Sequence, residues 1–284
     1  MTRERVKIQG SKPCPFPVSA NETDTDGAFR ALGVLSWLEE NSGRVGPTMT
    51  ALRRAVVDAI RSGVDSENYF RACRLGASVS ALSAVPEYAM IFSELPARDA
   101  KDSKDFWHDE ILLFVASQLR AVGIPLVPLA REEGKSDPDA FAPPNLFVEV
   151  KHRPASTPNA PRDLGSFTRK ALRADQIRRR NSAAIGIVVI DLGSHDTVNE
   201  DDFLPVDEAI YAELRRSGLL HAVIVSGMKR NDPATWIFLS RGIQKRATLA
   251  RGLCDRIVRA FPYGTLVGTT ELSNFGVRED PPKM

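Results

Sequence analysis

Apolar residues recur at helical spacing through the N-terminal part of the chain and alternate like strands further on. Phe29, Leu32, Leu35 and Leu38 trace one helical face until Asn41-Ser42-Gly43 stops it. Pro47 suits the first turn of a second helix, on which Leu52, Val56 and Ile60 share a face as far as Gly63. One or two shorter helices fit Tyr69 to Ile91. A further helix is predicted over 103–122, with Ser103 as N-cap, Asp105 in the first turn and Gly123 after the end. Strands are predicted at Ile124 to Leu129, at 138–142 and at 146–152; over Leu146 to Lys151 apolar and charged residues alternate. Ala142-Pro143-Pro144-Asn145 is the turn between the last two. A helix over 166–181 follows, with Phe167, Ala171, Ala174 and Ile177 or Arg178 on one face. The unbroken apolar run 184–191 reads as a central strand.

After this core the pattern predicts a helix from Val206 to Ser217, a strand from Leu219 to Ser226 and a polar turn from Lys229 to Thr235. A strand from Trp236 to Ser240 and a helix from Lys245 to Phe261 complete it. The reading is an α/β protein with an αβββαβ core and a mixed central sheet, preceded by a small helical region. Its divisions are residues 1–100, 101–265 and a tail at 266–284, with the boundary at Pro96 to Lys104, which is charged and short of apolar residues.

Composition narrows this only a little. The 284 residues are 43% hydrophobic and 26% charged, as in ordinary globular proteins. No run of about 18 apolar residues occurs, so no transmembrane helix is expected. Met1-Thr2-Arg3-Glu4-Arg5 lacks the apolar core of a secretory leader. The three cysteines are scattered and odd in number, which argues against a disulfide framework and for a cytoplasmic setting. The four histidines form no metal-type pair, and His152 points away from Lys151 and reads as structural. His195 falls in the loop expected after the central strand, with no serine elbow before it. Neither a Walker loop nor a dinucleotide glycine fingerprint is present.

Candidate chemistry gathers around the predicted hairpin. Successive strand residues leave on opposite faces, so Glu149 and Lys151 point together with Phe147, while Leu146, Val148 and Val150 point the other way. The turn folds Asp139 back towards Glu149. Two carboxylates brought together repel unless a cation lies between them, and Mg²⁺ favours one or two carboxylates with water and phosphate. An amine beside such an ion stabilises developing negative charge or positions the attacking water. Phosphodiester hydrolysis uses all three groups.

Pro138-Asp139 and Glu149-x-Lys151 resemble the PD-(D/E)xK superfamily of restriction-endonuclease-like nucleases, whose common core is also αβββαβ. The resemblance implies Mg²⁺ or Mn²⁺ held by Asp139, Glu149 and the main-chain carbonyl of Val150, with Lys151 assisting the nucleophile. Family members often place a Glu of the first core helix near the metal, and Glu110 is similar to it. Helical spacing leaves Asp109 as the alternative, although Glu110 lies between Phe106, Trp107, Leu113 and Phe114. Gln176 resembles a Gln that several branches set near the scissile phosphate. The RecB-like branch carries Tyr four residues later, where this chain has Arg180, which departs from that branch.

Charge adds a partner. Between Lys151 and Asn181 nine Lys or Arg stand against two acids, on a chain whose net charge is +2. A basic surface of that kind binds phosphate backbones. Arg153, Arg169, Lys170, Arg173, Arg178, Arg179 and Arg180 are therefore expected to contact nucleic acid, with DNA favoured over RNA. The expected function is a metal-dependent endonuclease. An RNA-cleaving toxin or effector, and a non-catalytic nucleic-acid-binding subunit, are the alternatives. Restriction, phage defence and repair all remain open. The N-terminal helices are left to contact substrate, form a homodimer or pack on the core.

Overall fold

We describe a computed structural model that covers residues 24–63, 66–101, 103–129, 138–153, 161–173, 185–195, most of 205–213, 220–229, 236–241 and 251–261. The described residues begin with four helices: α1 (Asp24–Ser42), α2 (Pro47–Ser62), α3 (Glu67–Leu82) and α4 (Ala89–Lys101), the last preceded by a 3₁₀ turn at Pro86–Tyr88. Then come α5 (Ser103–Ala121), β1 (Val127–Pro128), β2 (Ala140–Ala142), β3 (Leu146–His152), α6 (Pro161–Arg173), β4 (Ile185–His195), β5 (Leu220–Lys229), β6 (Trp236–Arg241) and α7 (Arg251–Ala260). Residues 205–213 are helical where described.

Local chemistry sets the helix ends. Gly63 closes α2 in the left-handed region at φ 66°, and its N–H donates to the Ala59 carbonyl. The Ser66 side chain accepts from Tyr69 N at the start of α3. The start of α2 is capped from a distance: Asp99, 2% exposed on α4, accepts from the N–H groups of Thr48 (3.1 Å) and Met49 (2.9 Å). Gly46 leaves the room for this, since a Cβ there would stand 2.1 Å from the Asp99 carboxylate.

Among the described residues the sheet has six strands, in the order β1-β2-β3-β4-β5-β6. The first three are antiparallel, β3, β4 and β5 run parallel, and β6 returns antiparallel. The structure is thus α/β with a mixed sheet and a largely helical N-terminal part. On one face Leu146, Val148, Val150, Ile187 and Val189 join a core with α1 to α5 and α7. On the other, Val188, Ile190, Leu192, Val223 and Val225 pack with Leu164 and Leu172 of α6 and with Val206 and Ile210. Helix α5, nearly continuously buried from Phe106 to Ser117, lies at the centre. No helix among the described residues is long and apolar enough to cross a membrane.

Several element bounds differ from the sequence expectation. The strand expected over 124–129 shrinks to Val127–Pro128, because Pro125 and Pro128 have no N–H to give to a ladder. The strand expected at 138–142 begins at Ala140, and Asp139 is a bend. Helix α6 starts at Pro161, where proline fits a first turn, rather than at 166. Ser103 is the first residue of α5 rather than its cap. Residues 96–101 of the expected boundary belong to α4, with Pro96 inside the helix. One apolar core runs from α1 to the sheet across that segment. His195, expected in a loop, ends β4: a register shift between Asp191 and Ser194, with Gly193 at φ 72°, lets pairing resume at Ser194 and His195.

Candidate active site

The hairpin of β2 and β3 brings part of the expected site together. Ala140 pairs with Val148, so the same register continued by one residue sets Asp139 opposite Glu149. The Asp139 carboxylate bends onto the backbone of β3, where Val150 N donates to Oδ2 at 2.7 Å. Its other oxygen, Oδ1, accepts from His108 Nε2 of α5 at 2.9 Å. Asp139 therefore bridges α5 and β3 and keeps only a tenth of its side chain exposed.

Glu149 and Lys151 leave β3 together, as their spacing requires. Lys151 Nζ donates to Glu149 Oε1, with Glu149 almost fully buried and Lys151 a quarter exposed. Phe147, two residues earlier on the same face, packs against the α6-side core and stacks near Phe141 of β2 at 5.0 Å between rings. A carboxylate with so little exposure needs a cationic partner, and the ammonium supplies one.

Glu110 is placed elsewhere. It is fully buried, and its two oxygens receive the Arg74 guanidinium of α3, Nε donating to Oε1 at 2.6 Å and Nη2 to Oε2. Asp109, the alternative, accepts from Arg98 Nη1 of α4 at 2.5 Å. Both acids thus tie α5 to the other N-terminal helices, and the residue of α5 that touches Asp139 is His108. Helical spacing around Glu110 gave no sign of it, since His108 lies about 200° round the helix from Glu110.

Among the proposed nucleic-acid contacts, Arg169 and Lys170 are exposed on α6, and Arg173 closes that helix. Arg153 is turned inward instead. It is 4% exposed, its Nη1 donates to the Leu192 carbonyl at 2.9 Å, and burial lowers its pKa against the pull of Asp163 and Asp191. A long cationic side chain at a strand end is expected on the surface, but Arg153 lies buried against the neighbouring strand β4. Gln176, Arg178, Arg179 and Arg180 lie outside the described residues.

The donor set can be weighed against a divalent ion. Among the described residues no group of three or more His, Cys, Asp or Glu side chains is disposed to hold a metal. Mg²⁺ does not require one: two carboxylates, or a carboxylate and a carbonyl, completed by water and phosphate oxygens, suffice. The hairpin offers hard oxygens of that kind in the Asp139 carboxylate, which lies on the Val150 amide, in the Glu149 carboxylate and in the Val150 carbonyl. No family model, curated protein or solved structure matches the chain.

Proposed function

We propose that the protein is a metal-dependent nuclease that hydrolyses phosphodiester bonds of DNA, with its site on the β2–β3 hairpin. The observation that carries this reading is the hairpin register, which sets Asp139 opposite Glu149, with the Asp139 carboxylate on the Val150 amide and Lys151 paired with Glu149. The element order α5-β1-β2-β3-α6-β4 supports it as well, because it is the αβββαβ order of the restriction-endonuclease-like core.

Asp139, Glu149 and the Val150 carbonyl would hold Mg²⁺, which when bound polarises a phosphoryl oxygen and lowers the pKa of a water. His108 and the Val150 amide orient the Asp139 carboxylate. Lys151, held beside Glu149, presents an ammonium to the attacking water or to the charge that grows on the phosphorane. The exposed Arg169 and Lys170 on α6 would contact the phosphate backbone.

Purified protein should nick or linearise plasmid DNA with Mg²⁺ or Mn²⁺ and stop on addition of EDTA. Asp139→Ala and Lys151→Ala should remove cutting while leaving the melting curve cooperative. Undiminished cutting by Asp139→Ala would reject the residue assignment, and preferential cutting of RNA would reject the DNA substrate. A second reading is a nucleic-acid-binding subunit without catalysis, with the exposed Arg169 and Lys170 of α6 as its contact. Binding that persists in EDTA, with no cleavage under any divalent ion, would favour it.

A further inference from the structure

Three polar side chains form a row across the sheet on the face turned away from Glu149 and Lys151. Register aligns His152 of β3 with Asp191 of β4, and Asp191 with Ser226 of β5. His152 Nδ1 donates to Asp191 Oδ2 at 2.7 Å, and Ser226 Oγ donates to Oδ1 at 3.0 Å. Asp191 and Ser226 are buried, and the His152 side chain is one-tenth exposed.

The helical layer reaches into this row. The buried Arg71 guanidinium of α3 stands 4.5 Å from the centre of the Trp107 ring, and that ring lies 6.4 Å from the His152 ring. Burial opposes ionisation of Asp191, but the bond and charge of His152, with the charges of Arg71 and Arg74, outweigh it and hold the carboxyl far below the usual range.

Cohesion alone does not call for such groups. Apolar side chains of similar volume would join sheet and helices about as well, because a buried ion pair recovers little beyond its desolvation cost. Directional bonds add fixed geometry, and here that geometry falls next to Lys151. Arg153 continues the attachment, its N–H donating to the Asp191 carbonyl at 2.9 Å and its Nη1 to the Leu192 carbonyl at 2.9 Å. The bonds of residues 152 and 153 to 191 and 192 therefore clamp β3 immediately beyond Lys151. Successive strand side chains leave on opposite faces, so an inward His152 keeps Lys151 on the Glu149 side.

From this we infer that Asp191 and His152 are positioning residues for the Glu149–Lys151 site, acting on it through the backbone of β3 from the opposite face of the sheet. The inference rests on the nuclease reading of that site, and it makes α3 and α5 part of the device rather than an appended module.

The test uses the full chain with His152→Leu and His152→Asn, since asparagine places an amide N–H near the position of Nδ1. Mn²⁺ binding is read by calorimetry without nucleic acid, and plasmid cleavage with Mg²⁺ is read beside it. Circular dichroism and melting report the fold. The Leu variant should lose about tenfold or more in Mn²⁺ affinity or in kcat, the usual effect of removing a group that orients a site. The Asn variant should recover most of that loss. Should the Leu variant fail to fold, Ser226→Ala takes its place, with a smaller loss expected in the same readouts. A Leu variant equal to the native chain in both readouts, or a loss that Asn does not recover, overturns this inference alone. A native chain that neither binds Mn²⁺ nor cuts overturns the nuclease reading, and this inference with it.

Discussion

Glu110→Ala should be among the most destabilising single changes in the molecule. The residue is fully buried, and the side chain of Arg74, its bidentate partner, is 6% exposed. Removing one member of a buried pair leaves the other charged, desolvated and short of acceptors, at about 3–5 kcal/mol. The double change Arg74→Met with Glu110→Leu removes both charges and fills their space with apolar volume. It should restore most of the loss, so the coupling between the two sites should exceed about 2 kcal/mol. Urea unfolding followed by circular dichroism gives each value at a common slope. A Glu110→Ala variant within about 0.5 kcal/mol of the native chain, as for a surface residue, would refute the burial argument. So would a double variant as unstable as the two single losses added together.

Two further stability changes follow from the packing. Asp99→Ala removes the acceptor of two N–H groups at the start of α2 and should cost about 1–3 kcal/mol by denaturant unfolding; a change below about 0.3 kcal/mol would mean that water caps the helix as well. Asp191 has a folded pKa below its unfolded value of about 4. The unfolded chain therefore takes up the proton first on acidification, and the contribution of Asp191, complete above about pH 4, is lost as pH falls from there through the folded value. Asp191→Asn should flatten the fall in stability below about pH 4, and equal slopes for the two proteins in that range would contradict the assignment.

The elements that were legible in the sequence are those whose signals are local. The alternation over Leu146 to Lys151 predicts a strand with Glu149 and Lys151 on one face, and β3 has the bounds expected, Leu146–His152, although burial of Glu149 breaks the alternation. Pro47 and Gly63 bound α2 where local chemistry puts them. His152 was read as facing away from Lys151, and it bonds to Asp191 on the far face. What was not legible depends on partners distant in sequence. Glu110 stood out correctly as an acid in an apolar stripe, but nothing nearby announced Arg74, 36 residues earlier, as its partner. The role of Asp99 as a cap for a helix 50 residues before it has no local sign either. His108 meets Asp139 only because the fold packs α5 against β3. Arg153 carried the charge of a surface residue, and only the fold shows it bonded inward to Leu192.

The proposed nuclease requires that Asp139 and Glu149 share a divalent cation on β3. Anomalous diffraction from crystals soaked in Mn²⁺ locates that ion. A manganese peak is expected within coordination distance of both carboxylates and of the Val150 carbonyl, absent from Asp139→Ala crystals. A peak elsewhere, or none beside Asp139 in well-ordered native crystals at millimolar Mn²⁺, would contradict it.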